Sequence, residues 1–240
     1  HGDAHPGNLN APTAVAKAAV LYVLRALVDQ PSQLLNAGSL HPVEIIIEPG
    51  GLFDPQEPSA VAGGNVETSQ RLVDALLAAL GEQAASQGTM NNLTVGTRKG
   101  VWYETIGGGS GAGPQFDGAH AVQVHMTNTR ATDVEELEAR FPVRLLCLAR
   151  RRGSGGAGAT KGGDGIEKIW EFLGHATVSL LAERRTAGAP GASGGQPGLP
   201  GEDEVNTGAG WEPLPQQWIA KAGDKLRIRT PGGGGFGSSD

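Results

Sequence analysis

Apolar positions recur along this chain with two different spacings, and each spacing predicts an element. Residues 12–30, centred on AVAKAAVLYVLRALV, are apolar nearly all round, with Lys17 and Arg25 as the charges. Pro12 suits a first helical turn and Pro31 a stop, so a helix over 12–30, buried on more than one face, is expected. Leu72, Val73, Leu76, Leu77 and Leu80 fall on one helical face that ends at Gly81. Asn65 is the expected cap of that second helix, with Glu67 in its first turn as a carboxylate facing the helix dipole, or else as a catalyst. A third, short helix is expected over 133–140, with Thr132 and Glu135 as a capping box and Pro142 beyond it.

The other spacing is the alternation of strands. Strands are expected over 43–47, 101–106, 121–126, 143–151, 166–172, 177–183 and 226–230. In the last, Leu226, Ile228 and Thr230 alternate with Arg227 and Arg229. The class is α+β and β-rich: mixed sheets, a few helices and long Gly-rich loops. The expected organisation is a main domain over 1–186, a mobile Gly/Pro-rich loop over 187–215, and a C-terminal strand with a glycine tail over 216–240.

Composition changes the picture at three points. There are 39 glycines and 15 prolines, interleaved with strand-like runs and without a short period, which points to loops more than to disorder outside 187–210 and 231–240. A net charge of −6 argues against a nucleic-acid face. The run Arg150-Arg151-Arg152 is either a solvated strand end or a local anion site. A single cysteine, Cys147, makes neither an internal disulfide nor a thiolate zinc site, and its apolar surroundings suggest a buried, inert thiol. There is no apolar run of membrane-spanning length and no signal peptide, so a soluble cytoplasmic protein is expected, without a nucleic-acid or membrane partner.

Several tempting motifs lack their context. Gly153, Gly155 and Gly158 spell GxGxxG, but Lys161-Gly162-Gly163-Asp164-Gly165 follows where a dinucleotide site needs a helix. Gly107, Gly109 and Ala112 fail in the same way, and no Gly-Lys-Ser/Thr occurs. Gly191-Ala192-Ser193-Gly194-Gly195 has a nucleophile-elbow pattern with no strand before it. His1, Asp3 and His5 are metal-ligand types, yet a loose terminus is the simpler expectation.

One constellation survives. Glu104 precedes a Gly/Ser turn; His125, Asn128 and Arg130 leave an expected strand; Asn91 and Asn92 lie in ASQGTMNN, expected as a loop of the site surface. Such a set suits a small amide or carboxylate: Arg130 pairs with a carboxylate, the Asn amides read carbonyl and N–H edges, and His125 or Glu104 moves a proton. Backbone N–H groups at Gly108 and Gly109 could face an oxyanion. Each of these residues also has a bland role open to it: a core histidine, a turn amide, or a Glu104–Arg130 structural pair.

The segments GNLNAP (7–12), GGNVETSQR (63–71), ASQGTMNN (85–92), YETIGGGSGAGP (103–114), HMTNTR (125–130), RRGSGG (151–156), GGDG (162–165), ERR (183–185) and TPGGGG (230–235) occur in an order that resembles the hydantoinase B/oxoprolinase family. The resemblance implies ATP-dependent opening of a cyclic amide such as 5-oxoproline or a hydantoin. An A-type subunit or fused half would activate the amide oxygen as a phosphate, and the B-type half would complete hydrolysis. The chain resembles roughly the C-terminal half of a B-type subunit, and its abrupt start suggests a fragment or processed piece. ATP and a divalent metal are then implied for the full complex and none for this chain alone, with the remainder of the B-type subunit as a partner. The alternatives are a non-catalytic assembly module of such a complex, or a carboxylase subunit of the acetone carboxylase type.

Overall fold

Alternating strands build two antiparallel sheets. In the computed structural model, which describes residues 2–28 and 36–238, the first sheet runs β2 (Gly100–Thr105), β1 (Asn92–Thr97), β5 (Ala176–Leu181), β8 (Trp218–Ala220). The second runs β3 (Val143–Arg151), β4 (Gly165–Phe172), β9 (Lys225–Arg229), β6 (Glu202–Asn206), β7 (Glu212–Pro213). Leu93, Val95, Trp102, Val178 and Trp218 from the first sheet join Val143, Trp170, Phe172, Leu226 and Ile228 from the second in one core cluster. Trp102 meets Trp170 edge-on at 5.8 Å between ring centroids, and Phe172 meets Trp218 at 5.5 Å. Each such side chain contributes roughly 1.5–3 kcal/mol by leaving water, so these aromatic contacts lock one sheet onto the other.

Beside the sheets lies a helical layer. Helix α1 (Thr13–Leu27) packs on α2 (Ser69–Ala79) through Ala19, Val23, Val73 and Leu77. Only one face of α1 is buried, because its outward positions are largely alanines and Lys17, which need no cover. Pro31 lies outside the described residues. Asn65 is not a cap: the chain enters α2 through a π turn, Gly64–Thr68, and Asn65 sits inside it. Helix α3 (Val134–Arg140) is capped by Asp133, not Thr132; Asp133 Oδ1 accepts from the N–H groups of Glu135 and Glu136 at 3.0 and 3.1 Å. The carboxylate stands at the residue that flanks the helix, where the dipole favours it.

The glycines form a third layer. Gln87 and Ala84 donate to the carbonyls of Gly109 and Ala112; Gly109 and Ala112 donate to Pro231 and Gly234; Gly118 and Ala121 donate to Lys161 and Asp164. Every pair is three residues apart on both threads. That is the period of a polyproline II-type helix, which makes no internal hydrogen bonds and must find its partners in neighbours. A Cβ on Gly109, Gly162, Gly163 or Gly233 would overlap a neighbouring carbonyl or amide. The threads approach so closely only because the side chains are missing.

This layer corrects several expectations. Residues 187–215 are not a free loop: 188–198 are threads of the layer, and β6 and β7 complete the second sheet. The glycine tail is buried from Pro231 to Gly235 at the centre of the layer. Residues 121–126 form no strand, only a bridge from Val122 to Gly108. Val43–Ile47 alternates in burial but has no partner strand, and Ile47 packs under Ala11 and Phe53 instead. The chain start is pinned, since Asp3 bridges Gly51 and Gly2 O accepts from Leu52 N–H at 3.1 Å. Cys147 is half-buried, and partial burial with nearby Glu167 raises its thiol pKa. Arg150 stays exposed and pairs with Asp164, while Arg151 turns inward to Glu202, Pro200 O and Thr230 O.

Candidate functional site

The expected constellation is split between five places. His125 belongs to the helical layer: its Nε2 lies 3.1 Å from Asp74 Oδ1 and its Nδ1 3.5 Å from the Tyr22 hydroxyl. Asp74 also holds Arg184 at 3.2 Å and the Ser86 N–H at 2.8 Å. Glu104 lies at the end of the sandwich and pairs with Lys168, not with Arg130. Asn128 and Arg130 are exposed. Gly108 and Gly109 are threads whose N–H groups donate to Val122 and Pro231, so neither faces an oxyanion. The bonded N–H groups from 108 to 113 also leave no cradle for a phosphate.

ASQGTMNN is a buried segment, not a surface loop. Its polar side chains are tied internally: Asn91 Nδ2 donates to Gln87 Oε1 and Ile106 O, both at 2.9 Å, and Asn92 Oδ1 accepts from the Tyr103 hydroxyl at 2.6 Å. Asn91 takes a φ of 47°, a left-handed conformation that Asn tolerates better than most residues.

A different group converges around Glu67. A cavity of about 290 Å³ is lined by His5, Leu9, Leu52, Glu67, Thr68, Arg71 and Glu183. The π turn delivers Glu67 to it from the mouth of α2, and such turns are frequent at functional sites. Glu67 is fully buried. Its Oε1 accepts from the Thr89 hydroxyl at 2.8 Å, while Oε2 has no partner. Burial pushes the carboxyl up to about 8; the Thr89 hydrogen bond opposes this, Glu183 adds to it, and Arg71 and Arg185 oppose it more weakly.

The proton can be placed from the hydrogen bonds. Thr89 Oγ1 already accepts from the N–H groups of Glu183 at 3.1 Å and Asn91 at 3.3 Å, so its one hydrogen is free for Glu67 Oε1. A neutral Glu67 therefore carries its proton on Oε2. Sequence reasoning leaves Glu67 between a dipole carboxylate and a catalyst. What it lacked was the partner: Thr89 lies in a segment that read as a surface loop.

Arg185 stands next to this group. It donates to Asn91 Oδ1 and Glu183 O, each at 2.8 Å, and grips Asp203 at 2.7 and 3.0 Å. On its far side is a cleft of about 490 Å³ lined by Arg185, Glu202, Asp203 and Glu204. Those carboxylates are all in ion pairs. Burial works to raise the pKa of Glu204, yet Arg227 and Arg229 hold it below the usual range. The cleft carries paired charges, where the Glu67 cavity carries a carboxyl outside any ion pair whose pKa burial raises. Among the described residues no three His, Cys, Asp or Glu side chains form a group able to hold a metal ion. No described helix is long and apolar enough to cross a membrane.

Comparison with known proteins gives these residues a context. The chain is 49% identical over 240 residues to 5-oxoprolinase 1 of Arabidopsis thaliana, covering 97% of this chain and 19% of that protein. It is 48% identical to the 5-oxoprolinase of Dictyostelium discoideum, covering 98% of this chain and 19% of that protein. It thus spans about a fifth of the length of these relatives. Its fold matches the crystal structure of an ATP-dependent caprolactamase from Pseudomonas jessenii with a TM-score of 0.82 at 24% identity, over 99% of this chain and 45% of that one. The family model for hydantoinase B/oxoprolinase matches residues 1–239, and the chain belongs to that family.

Proposed function

We propose that this chain is part of an ATP-dependent cyclic-amide hydrolase of the 5-oxoproline type, in which Glu67 supplies a proton to the ring nitrogen. The observation that carries this is a buried carboxylic acid with an unpartnered Oε2 at a cavity where four separate segments meet. Opening the ring needs water oxygen to add to the carbonyl carbon and the C–N bond to break. The leaving nitrogen takes the Glu67 proton, and the proton shed by the attacking water returns to the Glu67 carboxylate. An acid poised near neutrality is matched to that task. The strong likeness to 5-oxoprolinases supports the substrate class. ATP-dependent activation is assigned to an A-type subunit or fused half, since the glycine threads here have no free cradle for phosphate.

A second reading, a bracing module within such a complex, has its own support. Val101, Tyr103 and Ile219 stand exposed on the first sheet, as an assembly surface would require. The Glu67→Gln variant of the complete enzyme separates the two. Ring opening should fall by about 100-fold or more with no loss of thermal stability. Normal 5-oxoproline turnover in that variant would overturn the catalytic reading and leave the bracing one.

A further inference from the structure

The far end of the sandwich core holds a second polar cavity that the Glu67 chemistry does not use. It measures about 210 Å³. Glu104 reaches it from β2 and Lys168 from β4, so the pair joins the two sheets. Both side chains are almost wholly buried, and Lys168 Nζ binds Glu104 Oε1 while lying 5.4 Å from the centre of the Trp170 ring. Burying two charges costs several kcal/mol per ion unless the remaining hydrogen-bonding capacity is met. Here it is not. Glu104 Oε2 is buried without a partner, and so is Gln123 Oε1 on the same cavity. Gln123 Nε2 donates to Thr105 O at 3.2 Å and to Thr105 Oγ1 at 3.1 Å, which fixes the amide so that Oε1 is the free atom.

We infer that this cavity is a binding site for a small neutral carboxamide. The two orphaned atoms are both acceptors, so the ligand must bring N–H donors. It must be neutral, because Glu104 and Lys168 already cancel and an added charge would be buried without a counter-ion. Lys168 has donors beyond the one on Glu104, and these suit a carbonyl oxygen. An amide edge meets both needs, its N–H toward Glu104 Oε2 and its C=O toward Lys168 Nζ. Ile106, Leu148, Ile166 and Ala131 supply an apolar wall for the rest of the molecule. The inference rests on this cavity alone and does not depend on the role given to Glu67.

The test is saturation-transfer NMR on the complete enzyme with propionamide as the probe, beside propionate and n-propylammonium. Propionamide should bind at least tenfold more tightly than either ion. Ala131→Phe, which fills the wall from an exposed position and leaves the ion pair alone, should abolish that binding. The double variant Glu104→Gln, Lys168→Met removes both charges together, so neither is stranded, and should also abolish it. Glu67→Gln should leave it intact. Equal binding of the three probes, no binding at millimolar propionamide, or binding that survives Ala131→Phe would each overturn the inference. Loss of binding in Glu67→Gln alone would move the amide to the other cavity and overturn it too.

Discussion

Thr89 gives its only hydroxyl proton to Glu67 Oε1, at 2.8 Å, while accepting two backbone N–H groups on the same oxygen. The arrangement makes Thr89 a one-way donor and sets which carboxyl oxygen is protonated. Replacing Thr89 with Val removes the donor and leaves a buried acceptor and two buried N–H groups unmet, at a cost of about 1–3 kcal/mol. It also removes the largest influence that lowers the Glu67 pKa. The acidic-to-basic inflection in the enzyme's pH–rate profile should therefore move upward in Thr89→Val and return in Thr89→Ser. An unmoved inflection would show that Thr89 does not set the proton.

Glu67 should also write itself into stability against pH. Its folded pKa of about 8 lies above the unfolded value of 4.5. The native state thus holds a proton that the unfolded state has already released between those values. Its contribution is fully present below about pH 4.5 and is lost as the pH rises through about 8. Glu67→Gln keeps the neutral shape and has nothing to lose. The melting temperature of the variant should rise relative to the wild type between pH 5 and 8, by thermal unfolding at each pH. Parallel curves would mean that Glu67 is already ionised in the fold.

His125→Ala should behave as a core variant. Its ring joins α2 to α1 through Asp74 and Tyr22, in a T-shaped contact with Tyr22 at 5.8 Å. We expect a loss of about 1–3 kcal/mol from the broken buried network, with unchanged kcat in the folded enzyme. A normal melting curve with lost kcat would place His125 in the chemistry.

The glycine threads should tolerate no side chain. Gly163→Ala and Gly233→Ala each drive a methyl group into a neighbouring backbone, and neither should yield folded protein. Gly174→Ala is the control, since its Cβ would meet Pro142 at an ordinary 3.7 Å. Circular dichroism of the purified variants decides it. A folded Gly233→Ala would show that the threads have slack.

The sheets were legible where one face is apolar. Trp170 and Phe172 announce β4, and Leu226 and Ile228 announce β9. Strand β6 was not, because Glu202-Asp203-Glu204-Val205-Asn206 carries the carboxylates that pair with Arg227 and Arg229 across the sheet and with Arg185 beside it, and looks like a loop on its own. The chain's glycines were seen as loops for a similar reason. A three-residue thread has no side-chain pattern, and its order lies wholly in neighbours far away in sequence. At the site, Glu104 and Glu67 were both noticed, but Lys168 and Thr89 were not. Each partner sits in a segment that looked complete without it, Lys168 as one more polar position in an amphipathic strand.

The glycine layer has a consequence for how this chain acquires its shape. Threads drawn from residues 84–87, 109–112, 156–163 and 195–199 bind Gly232, Gly233, Gly234 and Gly235, which lie near the end of the sequence. A thread with no internal bonds has no reason to order before its neighbours arrive. During synthesis the earlier glycine runs can pair only in part, 84–87 with 109–112 and 118–121 with 161–164, until the TPGGGG segment emerges and threads between them. Contacts of such long separation fold slowly and leave backbone groups open to other chains meanwhile. Removing residues 231–238 would unseat the earlier glycine runs together, because a single short stretch is the last piece that all of them share.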